Sequence, residues 1–163
     1  EQLPEGGKMI YLVGTYGASW TDRRKKGFME KKNDNIKIVS ELQANGDRAE
    51  AKRITEDLLG KFPKGEVNAL VAHNDEMAIG AAQAIKEAGR QGDIKIIVGV
   101  DGTAPGVQAM ADGEMSATVL QRSAEQGQKA VDVVGQSLDG EEVDASYTLP
   151  FKLVTSENVA DFQ

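Results

Sequence analysis

The amino-acid sequence predicts an α/β fold, a doubly wound parallel sheet in a flavodoxin-like three-layer αβα arrangement. Strand-like and helix-like stretches alternate along the whole chain. Several strand candidates are almost continuously apolar, as expected of strands that are covered on both faces. The chain has 163 residues, of which 40% are apolar and 28% charged, and this is the size and composition of one globular domain.

The strands and helices of the first half follow one another closely. The strand candidates are residues 8–13, 36–42 and 67–72. A helix is predicted from about Ser19 to Lys32, because Ser19 followed by Asp22 resembles a capping box. A second helix is predicted from Asp47, with Glu50 at its third position. A third begins near residue 74 and carries an apolar stripe at helical spacing, formed by Met77, Ala81, Ala84, Ile85 and Ala88.

The second half continues the alternation. The run 94–100 predicts a buried strand, a short helix follows Thr103, and 115–120 predicts the next strand. Ser123 with Gln126 resembles the capping box of a helix that ends near residues 139–140. A last extended stretch covers 146–154, where Pro150 indicates an edge or a bend.

Charge and composition limit the classes of partner and site. The net charge of −7 argues against binding to nucleic acid or to an anionic membrane. The absence of cysteine excludes disulfides and thiolate metal sites, and it permits an oxidising compartment. No apolar run approaches the roughly 20 residues that span a bilayer. No basic and apolar leader is present, so we expect any signal peptide to lie outside this chain.

Four strand candidates end in polar or glycine-rich steps. They run into "GTYGASW", into the sequence from His73 to Asp75, into Asp101 and Gly102, and into Gln121. The carboxyl ends of parallel strands meet at one edge of the sheet, where such folds bind ligands. Each residue alone has a simpler explanation, because Asn74 or Asp75 could cap a helix and Asp101 could belong to a turn. Their convergence favours a binding site.

The residue types at this edge suit a polyol. Asp101 only accepts hydrogen bonds, Arg24 only donates them, and Asn74 and Gln121 do both. Trp20 and Tyr16 offer flat apolar faces, and these six residues form the predicted ligand-binding set.

Catalysis is not predicted at this edge. His73 is the only histidine and has no evident partner as a base or metal ligand, and no nucleophile–base pair, phosphate loop or dinucleotide fingerprint is present. We therefore predict binding without a cofactor, a metal or an enzymatic activity.

Several linked motifs resemble one family. "HNDEMAIGAAQAIKEAG", "IKIIVGVDGT" and "DGEMSATVLQ" occur in this order, with "GASWTDRRKKGF" before them and "KLVT" then "ENVADF" at the end. Together they resemble the carboxy-terminal half of the type 1 periplasmic sugar-binding proteins of ABC importers, in the ribose, galactose and galactofuranose branch. The resemblance covers essentially the whole chain.

The resemblance implies two lobes that close about a hinge on a sugar, and it assigns positions in this chain. Arg24 matches a loop arginine that reaches sugar hydroxyls, Asn74 the asparagine of the N-D motif and Asp101 the aspartate of the D-G-T motif. Gln121 matches the polar residue at the hinge crossing. On this basis Asn74 is expected to bind ligand, whereas Asp75 and Glu76 favour the start of the helix. Gly46 stands where ribose-type members often carry an aromatic, so the sugar itself stays open.

The resemblance also implies how the chain is divided. Residues 1–121 are expected to form the carboxy-terminal ligand-binding lobe. Residues 122–163 are expected to form the hinge crossing, a helix and a final strand that would pack on an amino-terminal lobe absent from this chain. Apolar surface left exposed on the crossing helix would then favour self-association.

The implied function is capture of a monosaccharide and its delivery to an ABC permease, with a chemoreceptor as a further possible partner. The implied location is the periplasm, or the cell exterior as a membrane-tethered lipoprotein. The alternative is the effector-binding domain of a LacI-type transcription regulator, which shares the fold and would need an upstream helix-turn-helix. An enzyme with a catalytic Asp101 is the third and least favoured interpretation.

Overall fold

A computed structural model of the chain describes residue 3 and residues 5–162. Its strands are β1 (Gly7–Val13), β2 (Ile36–Gln43), β3 (Ala69–Ala72), β4 (Ile96–Val98), β5 (Ala117–Leu120) and β6 (Lys152–Thr155). Its helices are α1 (Ser19–Lys31), α2 (Arg48–Lys61), α3 (Asp75–Glu87), α4 (Ala104–Ala111) and α5 (Ser123–Leu138), followed by a 3₁₀ turn at Val159–Phe162. The predicted α/β alternation is confirmed.

The six strands form one sheet in the order β2-β1-β3-β4-β5-β6. The first five are parallel, and β6 pairs antiparallel with β5. The chain moves outward from β1 to β2 and then returns to the other side of β1 for β3. This reversal creates a crevice at the carboxyl ends of β1 and β3, which is the usual ligand position in such sheets.

Side-chain alternation along the strands divides the core between the two faces of the sheet. Ile10 and Leu12 of β1 point into the larger cluster, which α2, α3 and α4 cover. Tyr11 and Val13 point into a smaller cluster on the opposite face, where Phe28 of α1 packs. Helices therefore lie on both faces, as a three-layer αβα fold requires.

The strand at 94–100 is shorter and less covered than predicted. β4 spans Ile96–Val98, and of its three residues only Ile97 is buried. The small cluster on the α1 face is centred on β1 and β3, so the face of β4 that lies beyond α1 is only partly covered.

Two predicted helix caps are wrong and one is confirmed. Helix α1 has Ala18 at its N-cap and α5 has Arg122 there, and neither makes a side-chain capping bond. Ser19 and Ser123 are instead the first helical residues. At α2 the side chain of Asp47 accepts a hydrogen bond from the Glu50 amide, as predicted.

The end of the chain differs from the expected crossing element. The paired strand is confined to Lys152–Thr155 and belongs to this sheet, with Val154 fully buried in the larger cluster. In this chain β5 supplies the hydrogen-bonding partner of the final strand, and the packing of that strand on another lobe stays a prediction. Helix α5, in contrast, has no buried residue.

Candidate functional site

Three of the predicted residues form one hydrogen-bonded cluster at the carboxyl edge of the sheet. An Arg24 NH2 group of α1 lies 2.8 Å from Oδ1 of Asp101, which follows β4. The Gln121 side-chain amide, just after β5, donates to the same oxygen. Both Arg24 and Asp101 keep about a quarter of their side chains exposed, at 22% and 27%. The cluster is therefore partly open to solvent.

Asp101 is held in an unusual backbone conformation. Its φ is 121°, a region that non-glycine residues rarely adopt. Its amide donates to Val119 O at 3.0 Å and its carbonyl accepts from the Gln121 amide at 3.2 Å, which ties the residue to the end of β5. Strained residues of this kind concentrate at functional sites, where the surroundings hold them.

Arg24 makes two contacts in addition to its bond with Asp101. Its second terminal nitrogen donates to the His73 carbonyl at the end of β3. The guanidinium carbon lies 5.1 Å from the ring centroid of Trp20, one helical turn earlier on α1. Trp20 therefore supports Arg24 through a cation–π contact, and its expected role of offering a flat face to the ligand stays a prediction.

Asn74 both caps α3 and reaches the next loop. Its Oδ1 accepts from the Met77 amide at 2.9 Å, and its Nδ2 donates to Gly46 O at 3.2 Å. The simpler explanation, a helix cap, is thus correct for Asn74. These two bonds leave one N–H and one oxygen lone pair of the Asn74 side chain available to a ligand.

Asp75 lies in the first turn of α3, as predicted for a residue that favours the start of the helix. It is fully buried and accepts hydrogen bonds from Thr103 and Thr118. Glu76, which is exposed, instead forms a two-point ion pair with Arg48 of α2.

Tyr16 lies apart from the cluster. Its amide donates to the Gln43 side chain at 2.8 Å and its hydroxyl to Glu41 at 3.1 Å, so it sits beside the end of β2. The ring is exposed. The structure therefore does not bring Tyr16 together with Arg24, Asp101 and Gln121.

His73 belongs to the core beneath the site. It is 1% exposed, its Nδ1 accepts from the Gly14 amide at 3.3 Å, and its Nε2 lies 2.7 Å from the Tyr11 hydroxyl. Because an amide only donates, the ring proton lies on Nε2. Burial, helped by the charge of Arg24, lowers the pKa of His73 to about 4. The ring is therefore neutral at pH 7 and already paired on both nitrogens.

The described residues contain no group of three or more His, Asp or Glu side chains that could hold a metal ion. In the same part of the chain, no helix is both long enough and apolar enough to cross a membrane. A groove of about 510 Å³ opens beside the cluster, between the loop 101–103 and residues 120–125.

Comparison with known proteins identifies the family. Residues 1–142 match the model of the periplasmic binding protein domain, and the chain belongs to this family of solute-binding proteins, which are transport components rather than enzymes. The chain is 36% identical over 154 residues to the ribose import binding protein RbsB of Salmonella typhimurium, covering 94% of this chain and 51% of the relative. It is 41% identical over 128 residues to a putative rhizopine-binding protein of Rhizobium meliloti, covering 78% and 41%.

A solved structure agrees with the family assignment. A solute-binding protein of an ABC transporter from Bacillus halodurans, with bound myo-inositol, superposes with a TM-score of 0.89 at 33% identity. The match covers 99% of this chain and 55% of that protein. The chain thus spans about half the length of the relatives it matches, and its type I periplasmic-binding-protein fold is confirmed.

Proposed function

We propose that the chain is the carboxy-terminal lobe of a sugar-binding protein of an ABC importer, and that it binds a monosaccharide or related polyol. The observation that carries this proposal is the open cluster of Arg24, Asp101 and Gln121 at the carboxyl edge of the sheet. Relatives that bind ribose or myo-inositol by name support the same class of ligand.

The unused hydrogen-bonding groups of the site suit hydroxyl groups. Among the described residues, both bonds to the Asp101 carboxylate reach Oδ1, so Oδ2 is available as an acceptor. Asn74 keeps one donor and one acceptor, and Arg24 keeps further N–H groups beside them. A sugar hydroxyl donates one hydrogen bond and accepts others, so neighbouring hydroxyls can use this alternating set.

The charge of the site favours a neutral ligand. Arg24 is the cation of the cluster, and Asp101 neutralises it at 2.8 Å. His73 adds no charge, because its pKa is lowered to about 4. A carboxylate or phosphate on the ligand would have to compete with Asp101 for Arg24. We therefore expect binding of uncharged sugars or cyclitols and rejection of uronic acids and sugar phosphates.

We further propose that a second lobe closes over this edge. The relatives are about twice as long as this chain, and an exposed cluster gains strength when closure removes it from water. Closure about a hinge would enclose the sugar and present the closed form to an ABC permease in the periplasm. Residues 122–150, with the unburied α5, would form the crossing to that lobe.

The test is a thermal-shift screen of the full-length protein that carries this chain, with the 163-residue chain beside it. The ligands are D-ribose, D-galactose, myo-inositol and xylitol, with D-glucuronate and ribose 5-phosphate as charged comparators. A ligand at a hundred times its Kd stabilises its receptor by about 2.7 kcal/mol. We expect a neutral compound to stabilise the full-length protein, and the isolated chain to respond weakly.

Asp101→Ala is the matched variant for this screen. It removes the common acceptor of Arg24 and Gln121, and we expect affinity to fall roughly ten- to a hundredfold. Asn74→Ala is less informative, because it also removes the cap of α3. Unchanged affinity in Asp101→Ala would contradict the proposed site. No response to any sugar would contradict the ligand class and favour the effector domain of a transcription regulator.

A further inference from the structure

A buried carboxylate lies directly behind the proposed sugar site. Asp75 is the first residue of α3 and is 0% exposed. Its side chain does not reach solvent, and neither the predicted ligand set nor the proposed function gives it a role. A carboxylate so deeply buried requires several hydrogen bonds to remain in the core.

Hydrogen bonds to the Asp75 side chain come from two neighbouring parts of the fold. Its Oδ2 accepts from the Thr103 amide at 2.8 Å and from the Thr103 hydroxyl at 3.1 Å. Its Oδ1 accepts from the Thr118 hydroxyl of β5 at 2.5 Å. The carboxylate of one residue therefore joins α3 to the start of α4 and to β5.

The carboxylate also decides the direction of both hydroxyl groups. Because an ionised carboxylate only accepts, each threonine hydroxyl must donate to it. The hydroxyl oxygens are then free to accept, and they do so from the backbone. Thr118 Oγ1 accepts from the Gly102 amide at 3.2 Å, and Thr103 Oγ1 accepts from the Gly106 amide at 3.1 Å.

These bonds fix the backbone immediately after Asp101. The strained φ of 121° at Asp101 persists only where the surroundings hold it. The pairing with β5 holds Asp101 itself, through its amide and carbonyl. The bonds that depend on Asp75 hold Gly102 and Thr103, the next two residues.

The space around the carboxylate excludes any side chain at two neighbouring positions. A Cβ atom at Gly99 would lie 2.4 Å from Asp75 Oδ1, and one at Gly106 would lie 2.2 Å from Oδ2. Both distances are shorter than real Cβ contacts. The backbone just before Asp101 and the first turn of α4 thus approach the Asp75 carboxylate as closely as a glycine allows.

The Asp75 carboxylate lies at two helix N-termini, whereas its burial and the nearby charge of Asp101 raise its pKa. Asp75 lies at the N-terminus of α3, and Thr103, to which it is bonded, is the N-cap of α4. The partial positive charge of a helix N-terminus stabilises an anion. Burial raises the pKa of Asp75, and the bonds from Thr118 and Thr103 act against that rise.

We propose that Asp75 is a positioning residue for ligand recognition, which acts by holding the loop 101–103 so that the Asp101 carboxylate meets Arg24 and Gln121. This inference rests on the proposed function for its binding consequence. Its structural consequence does not depend on any ligand, and the two can be tested separately.

The ligand-free test is amide hydrogen exchange, measured by NMR on the 163-residue chain. In Asp75→Asn we expect exchange at Gly102 and Thr103 to accelerate at least about tenfold relative to core amides such as Leu70, because their acceptors are lost or reoriented. Equal acceleration at Leu70 would overturn the proposal, since Asp75 would then contribute only to global stability. Unchanged exchange at Gly102 and Thr103 would overturn it as well.

If Asp75→Asn does not fold, two variants of Thr118 test the same bonds and keep the Asp75 carboxylate. Thr118→Val keeps the shape of the side chain but removes the hydroxyl between Asp75 and the Gly102 amide, whereas Thr118→Ser keeps the hydroxyl. We expect faster exchange at Gly102 in the valine variant and near wild-type exchange in the serine variant. Thr55→Val is the control, because it removes another buried threonine hydroxyl bond, to Ala51 O within α2. Faster exchange at Gly102 in that control would contradict a local role.

The binding test is a double-mutant cycle in the full-length protein, with calorimetry on D-ribose and myo-inositol as probes. We expect Asp75→Asn to lower the affinity for the probe roughly ten- to a hundredfold in the wild-type background. In the Asp101→Ala background it should have almost no further effect, because its effect passes through Asp101. The same loss in both backgrounds would overturn the proposal. If neither probe binds the wild-type protein, the proposed ligand class fails, while the exchange experiment still decides the role of Asp75.

Discussion

At the scale of single residues, position in the chain did not reveal which polar groups are accessible at the edge of the sheet. Asn74 and Asp75 are neighbours at the end of β3, yet one is a partly exposed cap and the other is buried. The difference arises because successive residues at a helix start point in different directions. Only the packing of α3 against β5 and the start of α4 shows that Asp75 points inward.

His73 gives a pH dependence that can be measured. Its pKa is lowered from 6.5 to about 4 by burial first and by Arg24 second. Between these values the unfolded chain binds a proton that the folded chain does not. The free energy of unfolding should therefore fall as pH decreases from about 6.5 to 4, by up to about 3 kcal/mol. Above pH 6.5 the ring is neutral in both states, so this histidine should not make the free energy of unfolding depend on pH.

Proton NMR of the ring tests this directly, because the chain has a single histidine. We expect its ring resonances to shift with a midpoint near pH 4 in the folded protein. Asp75, whose pKa is raised, changes stability with pH in the opposite direction, so the ring titration is the clearer measurement. A midpoint near 6.5 would contradict the buried, neutral ring and its bonds to Tyr11 and Gly14.

At the scale of secondary-structure elements, two predicted helix caps have different outcomes in the structure. Asp47 and Ser19 both stand at predicted helix starts, with an acidic residue three positions later. In the structure only Asp47 makes the capping bond, to the Glu50 amide at 2.7 Å. Ser19 falls one position inside α1, after Ala18.

We expect Asp47→Ala to lower the free energy of unfolding by about 1 kcal/mol, because the Glu50 amide loses its acceptor. Ser19→Ala is the matched control and should change stability by only a few tenths of a kcal/mol. Urea denaturation followed by circular dichroism gives both values. A large effect of Ser19→Ala, or none of Asp47→Ala, would show that the helix starts differ from those described.

At the scale of the whole molecule, α5 is an amphipathic helix without a covered face in the described structure. Val131, Val134 and Leu138 lie on one side of it and are 73%, 59% and 82% exposed. A groove of about 710 Å³ separates α5 from residues 144–149. Large exposed apolar side chains on one stripe favour association with another surface.

We expect the 163-residue chain to self-associate at high concentration through this stripe. Leu138→Lys should shift the association to higher concentration, because it places a charge in the apolar stripe. Gln136→Lys also introduces a lysine, on the exposed opposite side of α5, and should have little effect on the association. Sedimentation velocity over a range of concentrations measures both. A monomer at all concentrations, without binding of a hydrophobic dye, would contradict this expectation.

The sequence by itself determined the element order, the parallel sheet and the edge at which the site lies. These follow from local information, since apolar runs and helical stripes specify strands and helices, and parallel strands bring their carboxyl ends together. It also indicated Arg24, Asp101 and Gln121, because their residue types suit hydroxyl groups and the family resemblance assigns them positions.

Only the tertiary structure decided how these side chains are used. It pairs Arg24 with Asp101, stacks Trp20 against Arg24, separates Tyr16 from both and places β6 on this sheet. It also shows that the carboxylate of Asp75 accepts hydrogen bonds from Thr103 and Thr118. Apart from the contact between Trp20 and Arg24, these contacts join residues that are tens of positions apart, so their geometry depends on packing between elements, which local sequence patterns do not specify.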